Sequence, residues 1–276
     1  QYFTSRNPDF LPFLRKFAGD ETFEIWKGRF GFETAAREWE PFPEEARFVG
    51  TPRMTAITRA LSAHARLVAE TRVGKLARND QSWSVFAGSH LGDFHQVIIT
   101  APPAQARELM VNSGLNELAS HLDDPVKRVL PCWAVAAHFP VSPWLHHEGM
   151  RCQHPALFWV ANNSSKPGRN DEGQWWVLHA SPAWTEEHVD TPAEEVAEKL
   201  LAAFQELTGF EARPDEVVTH RWLYARSEGG EQPGHLWFPD YGLGLAGDWL
   251  SGGRVEGAFD SACGLVAELN AVPATQ

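Results

Sequence analysis

The spacing of apolar and polar residues predicts a middle block of strands that is interrupted by one long helix. Strand-like runs rich in β-branched and aromatic side chains occupy residues 134–139, 157–161, 175–181 and 217–224. Between the last two runs, apolar residues recur with helical spacing at Val196, Leu200, Phe204 and Leu207. Thr191 and Glu194 stand three residues apart before this pattern and match a capping box.

The first hundred or so positions predict shorter elements of both kinds. In chain order these are a capped helix over residues 7–17, a hairpin over 23–39, a helix over 51–64, two strands over 67–86 with a turn at Asn79-Asp80, and a buried strand over 96–100. Residues 166–171 combine Pro, Gly and polar side chains, so they are predicted to form an exposed loop.

Residues 242–269 carry the most chemical information in the chain. They predict a strand of small apolar residues, a Gly-Asp turn, a glycine-rich loop and a helix that begins near Val255. Gly247 lacks a Cβ, which lets a backbone approach a ligand, and the Asp248 carboxylate can accept hydrogen bonds from sugar-like hydroxyls. The helix directs its N-terminal N–H groups at the loop and favours an anionic group there. An ordinary strand-turn-helix at the end of an α/β domain explains the same pattern equally well.

Gly242, Gly244 and Gly247 also match GxGxxG, the fingerprint of dinucleotide-binding βαβ units. That fingerprint must follow a strand and open a helix, whereas here the match lies within the predicted strand. Pro233 and Pro239 interrupt any strand before it, and too few residues follow for a second strand with a ribose-binding acid. We therefore reject this match as a dinucleotide-binding loop.

Composition limits the class of partner and the compartment. The formal net charge of -12 disfavours nucleic acid and anionic membranes as partners. No apolar run in the sequence approaches the ~18 residues of a membrane-spanning helix. The three cysteines, Cys132, Cys152 and Cys263, are odd in number and widely spaced, which predicts thiols in a reducing, cytoplasmic compartment.

Other catalytic signatures are missing from the sequence. It contains no P-loop, no HExxH and no GxSxG. His146, His147 and His154 lie in a loop-like segment with no fixed ligand spacing, so no metal site is predicted. The 12 tryptophans are consistent either with core packing or with an aromatic pocket for a flat ligand.

Several segments resemble one protein family, and they occur in that family's order. They are Gln1-Tyr2-Phe3-Thr4, VIITAPP at residues 97–103, FWVANNSSKPGR at 158–169, WVLHASP at 176–182, HRWLYA at 220–225, and the C-terminal segment 242–269. The chain is thereby identified as similar to the glutathione-reductase-like flavoproteins, and within them to the renalase-like amine oxidase relatives.

The resemblance implies that FAD is the cofactor. It implies flavin contacts from Gly247, Asp248, Val255, Glu256 and Gly257 in the C-terminal motif. It also implies contacts from Thr100 and Pro102, in the second flavin-contacting strand and turn, and from Val73, in a strand that runs past the adenine.

For the substrate pocket, the resemblance implies Tyr2, Asn163, His179, Trp222 and Tyr224. His179 would hydrogen-bond a substrate amide or carbonyl, because hydride transfer to a flavin depends chiefly on positioning and requires no base. Core packing explains Tyr2 and Trp222 equally well, and a satisfied core histidine is the alternative for His179.

The family pattern also defines an expected fold and an expected departure from it. The fold is α/β (α+β), with an incomplete Rossmann-like FAD-binding domain over residues 1–5, 47–110 and 236–276, and an amine-oxidase-like antiparallel-sheet substrate domain over 6–46 and 111–235. Family members begin with a glycine-rich βαβ unit of at least ~30 residues. The chain as given starts after the position of that unit.

The predicted function is FAD-dependent oxidoreduction, in which a dihydronicotinamide-type or amine donor passes a hydride to the flavin and O2 accepts the electrons. The expected partners are a small-molecule substrate and O2, and the oligomeric state is left open. Two alternatives remain: a truncated, catalytically inactive fragment of such a flavoprotein, and a non-enzymatic binding domain with an aromatic pocket.

Overall fold

The computed structural model describes residues 2–141, 143, 145–170 and 172–271, along which helices and strands alternate. The helices are α1 (Phe10–Phe17), α2 (Thr55–Ser62), α3 (Pro103–Asn112), α4 (Asn116–Ser120), α5 (Asp123–Lys127), α6 (Pro182–Glu187), α7 (Ala193–Thr208) and α8 (Val255–Ala271). The strands are β1 (Phe23–Ile25), β2 (Phe30–Glu33), β3 (Trp39–Pro41), β4 (Phe48–Gly50), β5 (Lys75–Asn79), β6 (Ser82–Ala87), β7 (Ser89–Phe94), β8 (Val97–Ile99), β9 (Val129–Phe139), β10 (Gly149–Arg151), β11 (Leu157–Asn162), β12 (Gln174–Ala180), β13 (Glu216–Ser227), β14 (His235–Phe238) and β15 (Leu243–Ala246).

The chain divides into two units, each made of two separate stretches of sequence. The first unit contains the described residues up to Ala65 and Leu130–Ala225, and the second contains Arg66–Val129 and the residues from Arg226 onward. These boundaries follow packing and differ from those predicted for a flavin domain and a substrate domain. The predicted domains are defined by the ligand that each one binds, which packing does not test. The predicted domain limits therefore stay a prediction.

The first unit is built around a seven-stranded sheet with the order β13-β9-β12-β11-β10-β2-β3. Neighbouring pairs among β9, β12, β11 and β10 are antiparallel, whereas β10 and β2 run parallel. Helix α7 covers one face because Val196, Leu200 and Phe204 lie on one side of it and are fully buried with residues of the sheet, such as Trp176 and Leu178.

The second unit contains two small sheets and the helices that follow β8. In one sheet β15 lies between β14, to which it is antiparallel, and β8, to which it is parallel. The other is the antiparallel meander β5-β6-β7. The core of this unit includes Trp83, Ile99, Met110 and Leu245, so α3 and both sheets share one apolar cluster.

Several predicted elements are confirmed. They include the short helix α1, the long helix α7, the strands β9, β11, β12 and β13 of the middle block, and the strand-turn-helix formed by β15 and α8. The turn at Asn79-Asp80 joins β5 to β6 as predicted. The mixture of helices and sheets agrees with the predicted α/β (α+β) class.

Four local predictions are wrong. The segment 23–39 is not one hairpin, because β1 pairs with β4 and β2 pairs with β3 while Trp26 turns into the core. The capping box before α7 does not form, because Pro192 occupies the cap position and Thr191 lies one residue outside it. The strand expected around Val73 begins only at Lys75, since residues 71–74 have no regular structure.

The fourth wrong prediction is the exposed loop at 166–171. Lys166 is only 3% exposed, although Gly168 and Asn170 are open to solvent and Asp171 lies outside the described residues. The burial of Lys166 brings an ionisable side chain into the first unit. The amino-acid composition of the loop had instead indicated that its side chains would face solvent.

Candidate functional site

Two predicted cofactor-binding segments meet at one edge of a sheet in the second unit. Strands β8 and β15 are parallel neighbours, with Ile99 in register with Leu245. Their carboxyl ends therefore lie side by side, and they lead into the segments Thr100–Pro102 and Gly247-Asp248. Ligands of open α/β sheets bind outside the carboxyl ends of parallel strands, so this edge is where a cofactor site is expected.

The turn after β15 is closed by short-range hydrogen bonds. The carbonyl oxygen of Asp248 accepts the N–H groups of Ser251 at 2.9 Å and Gly253 at 2.8 Å, and Gly253 needs its positive φ of 66° to make this turn. The N–H of Gly247 donates to Ser261 Oγ of α8 at 2.9 Å. These bonds hold the turn against the helix that follows it.

Gly257 in the first turn of α8 allows this close approach. A Cβ at this position would lie 1.9 Å from the carbonyl oxygen of Ser251, well inside van der Waals contact. A Cβ at Gly247 would lie 2.7 Å from Nε1 of Trp249. The turn and the N-terminus of α8 thus form a tight cradle in which no side chain fits at either glycine.

Asp248 and Trp249 leave polar atoms in this cradle. The Asp248 side chain is half-buried, burial raises its pKa, and it makes no ion pair with any residue that the structure describes. Nε1 of Trp249 is buried and has no hydrogen-bond partner among the described residues. Such groups suit a ligand that offers both donors and acceptors, and the ribityl and phosphate groups of FAD have this character.

The other predicted cofactor residues divide between exposed and buried positions. Val255, at the N-terminus of α8, is 48% exposed, and Thr100 is also exposed. Glu256 is only 6% exposed, so its carboxylate lies inside the second unit. Val73 lines a cleft of about 270 Å³ together with Ala101 and Leu109, which brings it beside the turn that contains Pro102.

In the first unit, the residues directly after β11, Asn163–Ser165, form an ordered single turn. Asn162 Oδ1 accepts the N–H of Ser165 at 3.2 Å, and Ser165 Oγ accepts the indole N–H of Trp26 at 2.9 Å. Lys166 then points inward, where Nζ donates to Asn163 Oδ1 at 3.1 Å and lies 5.0 Å from the centre of the Trp26 ring. Asn163 and Lys166 therefore act as one hydrogen-bonded pair.

Burial changes the ionisation of Lys166 and of His179. Burial, with the charge of Arg169, lowers the pKa of Lys166 to about 7. His179 lies on β12, in register with Ala134 of β9 and Trp159 of β11, and burial lowers its pKa to about 3, with Lys166 contributing. His179 is therefore a neutral imidazole near pH 7, able to donate or accept a hydrogen bond.

A cavity of about 720 Å³ opens beside Asn163 and Lys166. Its lining residues are Pro52, Arg53, Met54, Asn163, Lys166, Gly168, Arg169, Asn170 and Trp175, and this set contains amides, cations and an indole but no carboxylate among the described residues. We refer to it below as the basic cavity.

The conformation of Gly168 and a hydrogen bond of Arg169 define the wall of the basic cavity. Gly168 has a φ of 73°, and a Cβ there would lie 2.8 Å from Cγ2 of Thr51. Arg169 Nη1 donates to the carbonyl oxygen of Gly50 at 2.7 Å. The loop after β11 is therefore held against the segment that leads into α2, and Arg53 comes close to Arg169.

The remaining predicted pocket residues are less closely grouped. The ring of Tyr2 packs against Trp26, Phe30 and Trp159 with centroid distances of 5.7–6.4 Å, which favours the core-packing interpretation. Trp222 and Tyr224 are 54% and 39% exposed on β13, a strand at the edge of its sheet, and their spacing of two residues places them on the same face.

Comparison with known proteins decides the family. The sequence profile of the flavin-containing amine oxidoreductases matches residues 30–270. The chain belongs to this family. The predicted flavoprotein and amine oxidase class is thereby confirmed, and the predicted FAD cofactor and oxidoreductase chemistry are those of the family.

Solved structures support the fold of this chain. A putrescine oxidase bound to putrescine matches with a TM-score of 0.66 and 11% identity over 98% of this chain and 87% of its own. A protoporphyrinogen oxidase from Exiguobacterium sp. 255-15 matches with a TM-score of 0.65 and 14% identity over 83% of this chain and 53% of its own. Cyclohexylamine oxidase from Brevibacterium oxydans IH-35A matches with a TM-score of 0.55 and 16% identity over 85% of this chain and 55% of its own. The chain thus spans about half the length of the last two proteins, and at these identities the likeness concerns the fold alone.

Within the described part of the chain, no group of three or more His, Cys, Asp or Glu side chains is placed to hold a metal ion. No described helix has the length and apolar character needed to cross a membrane.

The residues that the sequence analysis missed are Arg53, Lys166 and Arg169. Lys166 and Arg169 stand inside FWVANNSSKPGR, a segment that carried the family resemblance, so the sequence marked their segment but not these two residues. Their burial depends on contacts with residues 26 and 50–54, more than a hundred positions away, and no local pattern reports such contacts.

Proposed function

We propose that the protein is an FAD-dependent oxidoreductase of the renalase-like group within its family, with a dihydronicotinamide-type electron donor and O2 as acceptor. The family membership supports the flavin chemistry. When bound, FAD would supply a two-electron acceptor for a hydride from the donor, and O2 would be the terminal oxidant, reduced to hydrogen peroxide.

The residues proposed to hold the flavin are those at the carboxyl edge of β8 and β15. The cradle has no side chain at Gly247 or Gly257, which leaves its backbone open to a ligand. The Asp248 carboxylate and the buried Nε1 of Trp249 are the polar groups proposed to contact ribityl and phosphate-proximal groups. Val255 and Glu256 complete the first turn of α8. Thr100, Pro102 and Val73 are proposed to contact the rest of the cofactor, with Val73 at the cleft of the second unit.

The observation that carries the choice of donor is the absence of a carboxylate among the described residues of the basic cavity. Among the described lining residues, a protonated amine would meet the cationic side chains of Arg53 and Arg169 and no carboxylate, which is unfavourable. An uncharged ring with a carboxamide meets no such penalty. Asn163 and neutral His179 can hydrogen-bond the amide and so orient the ring.

Trp222, Tyr224 and Tyr2 are proposed as aromatic neighbours of the same substrate. Trp222 and Tyr224 present exposed rings on one face of β13, which suits contact with a ligand, whereas the packing of Tyr2 against Trp26 and Trp159 makes its role chiefly structural.

An amine donor is the second candidate. Its support is the name of the family and the likeness of the fold to a putrescine oxidase bound to putrescine. Within this chain, an amine would have to bind away from the basic cavity. The cytoplasmic compartment predicted from the cysteines remains part of the proposal, and no oligomeric state is assigned.

A visible spectrum and a peroxide assay test the proposal. We expect the purified protein supplied with FAD to retain a flavin spectrum after dialysis and to form peroxide with dihydronicotinamide isomers. Replacement of His179 by Ala should slow turnover at saturating donor, because the ring is misplaced, whereas His121→Ala, at an exposed histidine, should not. Failure to retain flavin would favour a non-enzymatic or inactive protein instead.

A further inference from the structure

The imidazole of His138, on β9, joins the segments that lead into β12 and β13. Its Nδ1 lies 2.6 Å from Oδ1 of Asp215, the residue before β13, and its Nε2 lies 2.8 Å from the carbonyl oxygen of Glu172, two residues before β12. The N–H of Asp215 also donates to the carbonyl oxygen of His138 at 3.1 Å. We refer to the two ring contacts as the His138 bridge, in which a carboxylate and a backbone carbonyl are the acceptors.

The number of protons on the ring decides whether both hydrogen bonds of the bridge form. A neutral imidazole has one N–H and donates to one of the two oxygens, whereas an imidazolium donates to both. The hydrogen bond to Glu172 and then the one to Asp215 raise the pKa of His138 above its ordinary value of 6.5, although burial opposes this. The form with both hydrogen bonds therefore predominates at pH 6.5 and below.

The local structure leaves space for the imidazole and for its titration. Gly173 has a φ of 73°, and a Cβ at this position would collide with Nε2 of His138. A side chain at position 173 would therefore displace the ring. The His138 side chain is 18% exposed, so its ring exchanges protons with solvent.

The bridge lies next to one wall of the basic cavity. His138 and Trp175 stand directly opposite each other on β9 and β12, and their ring centroids are 5.2 Å apart. A cation at this distance is attracted by the indole ring. Trp175 lines the basic cavity and follows Glu172 by three residues, so a movement of Glu172 is passed to the start of the strand that carries the indole.

We propose that His138 is a pH-dependent positioning residue for Trp175 and, through this indole, for the ring of the electron donor. In the protonated form, two hydrogen bonds fix the segment before β12 and with it the indole. When a proton is lost to solvent, the remaining N–H stays with the carboxylate of Asp215, because a hydrogen bond to a charged acceptor is stronger. Nε2 then presents a lone pair to the carbonyl oxygen of Glu172, and the two acceptors repel each other, which loosens this segment.

The charges around His138 favour the protonated form. Asp215 and Glu216, on the side of β13, are the charged groups that act on it, and both are acids. Asp171, beside Glu172, lies outside the described residues, and a further acid would act in the same direction as Asp215. Because the pKa is raised in the folded chain, the stability that the bridge contributes is present at pH 6.5 and below and is lost as the pH rises through that pKa.

The contact between Trp175 and the donor rests on the proposed function, whereas the bridge itself does not. The first test therefore uses the purified chain without added flavin. Nuclear magnetic resonance of isotope-labelled histidines gives the titration midpoint of His138, which is assigned by its absence in His138→Gln. Hydrogen exchange detected by mass spectrometry, at pH 6 and pH 9 and corrected for intrinsic exchange, gives the protection of residues 173–178.

Two further variants complete the first test. Asp215→Asn removes the carboxylate of the bridge, and His121→Gln, at an exposed histidine, is the matched control. Circular dichroism establishes that each variant is folded. If His138→Gln does not fold, the midpoint of His138 in Asp215→Asn decides the test, because an unchanged midpoint would overturn the proposal.

We expect His138 to titrate above pH 6.5 in the wild type and at a lower pH in Asp215→Asn. In the wild type and in His121→Gln, the protection of residues 173–178 should fall about two- to tenfold between pH 6 and pH 9, because one hydrogen bond is lost. In His138→Gln the protection should not depend on pH. A wild-type midpoint at or below 6.5, or an equal fall in protection in His138→Gln, would overturn the proposal.

The second test connects the bridge to the donor. In the flavin-loaded wild type, the KM for a dihydronicotinamide donor should rise about two- to tenfold between pH 6 and pH 9, with a smaller change in kcat. In His138→Gln the KM should be high at both pH values. Equal KM profiles in the wild type and in His138→Gln would refute the positioning role. A bridge that titrates as expected, in a protein that dihydronicotinamides do not reduce, would keep the bridge and refute the proposed function.

Discussion

The turn after β15 and the loop after β11 are two candidate ligand sites that the chain builds in opposite ways. In the turn, Asp248 accepts hydrogen bonds from residues three and five positions further on, and Gly257 makes room for it. In the loop, Lys166 is buried under Trp26 and Arg169 is bonded to Gly50, so distant segments set the geometry. Contacts between residues that are close in sequence form the first site, and contacts between distant segments form the second.

In both regions burial disfavours the charged form of an ionisable side chain, which is a carboxylate in the turn and an ammonium group in the loop. Burial raises the pKa of the Asp248 carboxylate and lowers the pKa of the Lys166 ammonium group, so both groups are less easily charged than in water. A ligand that donates hydrogen bonds to Asp248 would favour its charged form. The two proposed sites thus differ in the sign of the charge that burial disfavours.

The largest effect is expected from Gly257→Val. Because even a Cβ would lie 1.9 Å from the Ser251 carbonyl, the turn must separate from α8, at a cost of about 3 kcal/mol or more. Urea unfolding should show this loss, whereas Ala258→Leu, at an exposed position on the same helix turn, should change stability by less than about 0.5 kcal/mol. Equal stabilities of the two variants would mean that the cradle is not tightly packed.

His179 should make the protein sensitive to acid. Its pKa is about 3 in the folded chain and about 6.5 when unfolded, so between these values only the unfolded state binds the proton. Stability contributed by the neutral ring is present above pH 6.5 and falls by about 1.4 kcal/mol per pH unit as the pH drops toward 3.

The measurement for His179 is urea unfolding at pH 6 and pH 4. Replacement by Gln should reduce the difference in unfolding free energy between these pH values by about 2–3 kcal/mol. His121→Gln, at an exposed histidine, provides the control. If His179→Gln and the wild type lose stability in parallel, the imidazole is not held neutral by its surroundings.

Asp248 should contribute to flavin affinity rather than to folding. Asp248→Ala removes charge-assisted hydrogen bonds to the cofactor and should weaken FAD binding about ten- to a hundredfold, or roughly 1.5–3 kcal/mol. Asp80→Ala, in the exposed turn between β5 and β6, should leave it unchanged. Flavin fluorescence during dialysis measures how much FAD each of the two variants retains. A global loss of folding in Asp248→Ala would mean that this residue has a structural role.

The sequence predicted those parts of the molecule whose geometry is local. The strand-turn-helix around Gly247 and Asp248 was predicted because small apolar residues, a turn and a helical pattern follow one another directly. The long helix α7 was predicted from its apolar spacing, although Pro192 rather than Thr191 occupies its cap. The pattern that predicts each of these elements lies within the element itself and the residues next to it.

The sequence could not predict features that depend on distant partners. Residues 166–171 have the composition of an exposed loop, yet the indole of Trp26 and the backbone of Gly50 draw Lys166 and Arg169 inward. The segment 23–39 alternates like a hairpin, yet the strand at Phe23 pairs with Phe48–Gly50 instead of with its neighbour. In both cases a favourable long-range contact outweighs the local preference.

The central claim is that the donor site favours an uncharged ring over a protonated amine, and anaerobic stopped-flow reduction of the flavin tests it most directly. The flavin-loaded protein is mixed with isomeric dihydronicotinamide nucleotides in one series and with simple amines, including putrescine, in the other. Because the described lining of the basic cavity has the cationic side chains of Arg53 and Arg169 and no carboxylate, dihydronicotinamides should bleach the flavin absorbance faster than any amine. Rapid bleaching by amines and none by dihydronicotinamides would contradict the account and would remove the roles proposed for Asn163 and His179.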